Sequence, residues 1–148
     1  MNTKQYIAKW NKLAQSYDVI VDKFLNDNRE RYAKENSKQL FTGEDSKGNI
    51  LAPYASSTVK HKKRTGQISS KTILNDVPGS TKGAFHNNLF GEYENKTMKF
   101  SSDVSYTRYL VDQYGVDIFG LQIDNRKRVS VQYVKPEFKQ EVKQIINN

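Results

Sequence analysis

An α+β fold is what this 148-residue sequence predicts, and three observations predict it. Residues Met1 to Thr42 contain neither glycine nor proline, and their apolar residues recur at helical spacing. Two short alternating runs, Phe90–Glu94 and Met98–Ser101, flank Asn95-Lys96-Thr97 as the arms of a hairpin flank its turn. Pro136 then opens a last segment whose apolar residues return to helical spacing. The expected architecture is long N-terminal helices, an extended central arm, a small antiparallel sheet with a hairpin, and a C-terminal helix. Residues 1–148 form a single domain, with 43–80 as an extended arm or loop.

The elements follow in order. Tyr6, Ile7, Trp10, Leu13, Ala14 and Tyr17 share a helix face, and Thr3 can cap its start. The β-branched trio Val19-Ile20-Val21 restarts the pattern, so a break is expected near Ser16–Asp18. Asp18 then caps a second helix carrying Val21, Phe24, Leu25, Tyr32 and Leu40. Its polar stretch Asn26–Gln39 is expected to face solvent or another subunit.

After Thr42 the texture changes. From Gly43 to Gly83 the chain is rich in Gly, Ser, Thr, Lys and Asn, with turn-type clusters at Gly43–Asn49, Arg64-Thr65-Gly66 and Pro78-Gly79-Ser80. Loops of this length inside a domain usually bind something or stay mobile. The segment is too poor in apolar residues to order itself, so it reads as an arm that settles on a partner. Leu51, Pro53 and Tyr54 are its expected anchors on a neighbouring subunit.

Beyond the arm, Thr81–Leu89 reads as a short helix with Ala84, Phe85 and Leu89 on one side. The hairpin follows. Tyr106–Tyr114 reads as a helix stopped by Gly115. Val116–Leu121 is a short apolar turn or strand, and Arg126–Val134 reads as a last strand. In the final helix Phe138, Val142, Ile145 and Ile146 form the buried stripe. Phe85, Leu89, Phe119 and Leu121 are expected in the core. No internal repeat is present.

Composition narrows the function. The chain is 36% hydrophobic, below the usual ~45–50%, which suits a protein that gains stability on assembly. The net charge of +8 is spread along the chain as +3 for 1–42, +3 for 43–80 and +2 for 81–148. A nucleic-acid binder more often concentrates its charge on one face. Spread charge suits an acidic partner surface or passing, non-specific contact with DNA. With no cysteine there is no disulfide and no thiolate metal site. No apolar run approaches the ~20 residues of a membrane span, and the N-terminus lacks the apolar centre of a secretory signal.

The residues call for no catalytic group, no metal and no cofactor. His61 lies among lysines as a solvated residue. His86 stands beside Asn87, but a nuclease metal motif would need further His or carboxylate ligands, and a half-buried helix residue is the simpler reading. Counting Asp45 as the first position of a calcium loop puts Ser56 at the twelfth, where a glutamate is required. No Gly-x-x-x-x-Gly-Lys-Ser/Thr, Gly-x-Gly-x-x-Gly or Gly-x-Ser-x-Gly occurs. Two basic runs, Lys60, Lys62, Lys63, Arg64 and Arg126, Lys127, Arg128, can contact phosphates or an acidic partner. They define the alternative reading, a small basic nucleic-acid-binding protein.

Three stretches carry a family resemblance. Phe41-Thr42-Gly43-Glu44 followed by Gly48 and Pro53-Tyr54 resembles the "aromatic-threonine-glycine, acid, glycine, proline-tyrosine" segment of small virion proteins of tailed bacteriophages. Lys82-Gly83-Ala84-Phe85-His86-Asn87-Asn88-Leu89 resembles their "threonine-glycine-x-phenylalanine-x-x-serine-leucine" helix start, with Lys82 and Asn88 in place of the usual threonine and serine. Tyr114-Gly115 with Phe119-Gly120-Leu121 resembles the late element that precedes their terminal helix. The basic stretch Ser57–Lys71 stands where those proteins often carry a proline-rich insert. The resemblance runs from Gln39 to the C-terminus. It implies a neck, head–tail joining, tail-completion or minor tail protein without enzymatic activity. Such a protein forms a ring with copies of itself beside portal, connector or tail proteins, is assembled in the host cytoplasm and resides in the virion.

Overall fold

The computed structural model describes residues 2–68, 81–82 and 84–147. Helix α1 (Thr3–Asp27) is capped by Asn2, not by Thr3 as expected. The Asn2 side chain accepts from the Gln5 N–H at 3.0 Å and Gln5 Oε1 accepts from the Asn2 N–H at 2.9 Å, a reciprocal capping box. The helix runs without interruption through Val19-Ile20-Val21. β-Branched residues lower helix propensity by only a fraction of a kcal/mol each, about 0.7 at most, and the apolar face continues to Ile20 and Phe24. The expected break at Ser16–Asp18 therefore moves to Asn28. There the side-chain amide donates to the Phe24 carbonyl at 2.8 Å and to Glu137 Oε2 at 2.8 Å, offering the backbone a partner outside the helical ladder.

Helix α2 (Arg29–Phe41) is the hub. Its polar stretch was expected on the outside. Instead Glu35, Asn36, Ser37 and Gln39 are buried within the chain's own fold beside Tyr32, Ala33 and Leu40. Burial of such groups is costly without partners, and all but one find them: Asn36 Oδ1 is buried with no partner among the described residues. Asn36 Nδ2 donates to the carbonyls of Ile118 and Gly120 at 3.1 and 2.7 Å. Gln39 Nε2 donates to the Gly120 carbonyl at 3.1 Å, and its Oε1 accepts from the Gln122 N–H at 2.9 Å and from Asn125 Nδ2 at 2.8 Å. Ser37 Oγ donates to the His86 carbonyl at 3.2 Å. The polar face of α2 thus serves as hydrogen-bonding scaffold for the irregular segment 118–122.

Within the central segment, helix α3 spans Ser56–Thr65 and stops at Gly66, whose φ of 67° is the left-handed cap that glycine adopts freely. This corrects the expectation of an extended arm throughout. Strands β1 (Gln67–Ile68) and β2 (Thr81–Lys82) pair in parallel. The turn predicted at Pro78-Gly79-Ser80 lies outside the described residues. Helix α4 is Ala84–Asn87, shorter than expected, because Leu89 already belongs to β3 (Leu89–Glu94).

The hairpin is present, with a tighter turn than read, because Thr97 belongs to the second strand. Strand β3 pairs antiparallel with β4 (Thr97–Ser102), Leu89 opposite Ser102 and Glu94 opposite Thr97. Asn95 and Lys96 turn it with φ of 50° and 59°, the positive values that a two-residue type I′ turn demands. The sheet lies on α2. At Gly91 a Cβ would stand 2.7 Å from the Arg29 carbonyl oxygen, so glycine allows the strand to touch the helix backbone.

Helix α5 (Thr107–Tyr114) ends at Gly115, and Val116–Ile118 form a 3-10 turn. The strand expected over Arg126–Val134 is absent. Those residues belong to α6 (Ile123–Val129) and a π turn, Ser130–Val134, that runs directly into α7 (Lys135–Asn147). Helical winding turns Val129 and Val134 inward while Val131 stays exposed; packing overrides the β preference of the valines. Pro136 lacks the N–H a helix interior needs. It follows the one place where the i−4 ladder is already interrupted.

Three apolar clusters result. Leu40, Phe85, Leu89 and Ile118 form one, with Phe119 packed against it. Leu13, Ile20 and Phe24 form another with Phe138, Val142 and Ile145 of α7. Tyr32, Leu121 and Val129 form the third beneath the hairpin's Met98 and Phe100. No helix among the described residues is long and apolar enough to cross a membrane.

Candidate assembly surface

The segment after α2 begins with a closed turn. Asp45 Oδ1 accepts from the N–H groups of Lys47 and Asn49, both at 2.8 Å, and Oδ2 accepts from Asn49 Nδ2 at 2.9 Å. Burial alone would raise the Asp45 pKa. The hydrogen bonds from Asn49 and Lys47, with the Lys47 charge, outweigh it and hold the carboxyl below its ordinary value. Gly48, at φ 83°, supplies the reversal. The turn is fixed to the body. Ser46 N–H donates to the Asp117 carbonyl at 2.9 Å, Lys47 Nζ meets Asp117 Oδ2 at 2.7 Å, and Gln122 Nε2 donates to Glu44 Oε2 at 2.7 Å. Gly43–Asn49 is therefore part of the body and not of an arm.

The three expected anchors divide. Leu51 packs on the chain's own Leu40–Phe85 cluster, and its N–H donates to the Gly43 carbonyl at 2.8 Å. It fastens the root of the segment inside the subunit instead of reaching a neighbour. Pro53 is exposed and Tyr54 half-buried. Lys62 Nζ lies 5.1 Å from the centre of the Tyr54 ring, and burial lowers the Lys62 pKa. Tyr54 also lies close enough to Tyr114 to help raise that phenol, after burial, above its ordinary pKa. Beyond this root α3 has no buried residue.

The two basic runs divide as well. Lys60, Lys63 and Arg64 are exposed at i, i+3, i+4 and so share one face of α3, with Arg64 Nη2 3.4 Å from His61 Nδ1. Lys62 turns toward Tyr54. On α6, Lys127 lies 3.8 Å from Asp124. Arg128 joins the buried Glu35 carboxylate and donates to Asn125 Oδ1 at 2.6 Å. Arg128 is a structural cation, and only Arg126 of its run is exposed without such an ion pair among the described residues.

His86 lies 3.5 Å from Ser37 Oγ through Nδ1 and packs edge-on to Phe41 and Phe85. Among the described residues no three His, Cys, Asp or Glu side chains stand together as metal ligands.

Compared with family models, with curated proteins and with solved structures, the chain matches none.

One surface escaped the sequence reading. The apolar face of α1 is covered by α7 only in part, and Tyr6, Ile7, Trp10 and Tyr17 remain exposed. The signal was present as an unbroken 4,3 spacing of Tyr6, Trp10, Leu13, Tyr17, Ile20 and Phe24. That pattern promises a partner helix along its whole length, and α7 is too short to supply one.

Proposed function

We propose that this chain is a non-enzymatic structural subunit of a tailed-bacteriophage virion, part of a ring at the head–tail junction or tail end. It would meet copies of itself and portal, connector or tail proteins. The observation that carries this reading is α3, a ten-residue basic helix with no buried residue, rooted on the body through Leu51 and Tyr54. A helix this short is marginal in water without packing. A neighbouring subunit would supply that packing by a heterologous contact. The order of the three phage-like stretches from Gln39 to Leu121 supports the same reading. Native mass spectrometry of the purified protein should give a closed multimer, and mass spectrometry of virions made from the encoding genome should find the chain. Virions that lack it would overturn the proposal.

A second reading is favoured by the shared face of Lys60, Lys63 and Arg64: contact with a nucleic-acid backbone. It predicts retention on heparin and DNA with a steep salt slope. Weak, salt-insensitive retention would remove it.

A further inference from the structure

We infer that the open groove between α1 and α7 is a docking site for an acidic amphipathic helix of another protein. This stands apart from the virion reading, which rests on α3.

Helices α1 and α7 lie antiparallel. Glu137 meets Asn28 at one end, and at the other Lys9 Nζ donates to the Ile146 carbonyl at 2.7 Å. Side by side, two helices leave a trough along their seam. Trp10, Leu13, Ala14, Tyr17, Phe138 and Val142 line it, and it encloses about 550 Å³. Its wall continues toward the start of α1. Tyr6, Ile7, Trp10 and Tyr17 are 48, 53, 44 and 51% exposed, a contiguous apolar surface of the kind that marks interaction sites. The rings are already arranged, with Tyr6 edge-on to Trp10 at 6.0 Å and Tyr17 edge-on to Phe138 at 5.7 Å. Ala14 lies midway, where its small side chain lets another helix come close.

Charge selects the occupant. Over residues 2–18 and 135–147 the two helices carry Lys4, Lys9, Lys12, Lys135, Lys139 and Lys143 against Asp18, Glu137 and Glu141. A second copy would bring the same lysines and be repelled. A flat anionic membrane fits a concave seam poorly. A helix with apolar residues along one stripe and carboxylates beside them satisfies both the trough and its rim.

Trp10 is the chain's one tryptophan, so its emission reports occupancy. Two synthetic helical peptides share a leucine stripe and differ in flanking residues, glutamate in one and lysine in the other. The glutamate peptide should shift Trp10 emission to the blue, saturably, and bind at least tenfold tighter at low salt, the difference shrinking in concentrated salt. Ala14→Arg keeps the helix and adds positive charge while filling the trough. It should weaken the glutamate peptide at least tenfold, with far-ultraviolet dichroism unchanged. Equal binding of both peptides, binding of neither, or full binding to Ala14→Arg would overturn the inference. So would a blue shift with anionic vesicles alone, or one that tracks protein concentration with a dimer mass in sedimentation.

Discussion

Asn36 donates its side-chain amide to the Gly120 carbonyl at 2.7 Å, joining the middle of α2 to a residue 84 positions later. With the bond to Ile118 it holds the segment from which the Asp45 turn and α6 both hang. Asn36→Leu keeps the branching and leaves the Ile118 carbonyl without its donor, while the Gly120 carbonyl keeps the Gln39 amide. Such an orphan costs about 1–3 kcal/mol, so urea denaturation should show a loss of that size. Asn36→Asp should be no better, since it turns a carboxylate toward two carbonyl oxygens.

Gly91 touches the backbone of Arg29. A methyl there would meet the carbonyl oxygen at 2.7 Å, and backbone cannot rotate away as a side chain can. Gly91→Ala should cost about 1–3 kcal/mol by overpacking. Gly66→Asn, at the exposed left-handed cap of α3 where nothing lies within 4 Å, should cost well under about 1 kcal/mol. Parallel thermal melts of the two variants separate crowding from cap conformation.

Tyr93 donates its hydroxyl to Asp22 Oδ1 at 2.7 Å, and that bond, with burial and the Asp22 charge, pushes the phenol up to about 12. The folded pKa lies above the unfolded one, so the contribution is complete below pH ~10 and is lost as pH rises toward the folded value. Tyr93→Phe should therefore lower stability by about 1 kcal/mol at neutral pH and flatten the decline between pH ~10 and the folded value. Denaturation midpoints at pH 8, 10 and 11.5 test both halves of the expectation.

Asp45 has the opposite sign. Its carboxyl is held low, so its contribution is present above the ordinary carboxylate value, ~3.9, and fades as pH falls through the lower folded one. Asp45→Asn keeps the shape but gives up charge-assisted acceptors, and should cost about 1–2 kcal/mol at pH 7 and nothing further in acid. Amide exchange at Lys47 and Asn49 should quicken in the variant at neutral pH.

Replacing Lys60, Lys63 and Arg64 together by serine touches nothing buried in the subunit. Stability should stay within about 0.5 kcal/mol, while assembly or heparin retention drops. A large loss of stability in the isolated protein would mean that α3 belongs to the core.

Much of the fold could be read from periodicity. The apolar face of α1, the hairpin around Asn95 and Lys96, the stop at Gly115 and the stripe of α7 are local effects, set by turn chemistry and spacing within a few residues. The α+β class follows from them. Of the seven cations singled out, the sequence could not tell Lys60, Lys63 and Arg64, which face outward, from Lys62 and Arg128, which stay with Tyr54 and Glu35.

Tertiary structure decided what depends on residues far apart. The polar face of α2 looks solvated in sequence because its partners, Ile118, Gly120, Gln122 and Asn125, lie more than 80 positions away. Arg126–Val134 has β-forming residues, yet burying Val129 and Val134 beside α1 and α2 favours helix. Leu51 is apolar in a polar segment, which marks it as an anchor. Only the fold supplies the surface it anchors to, because a short-range pattern says which side of a residue is apolar and not which molecule will cover it.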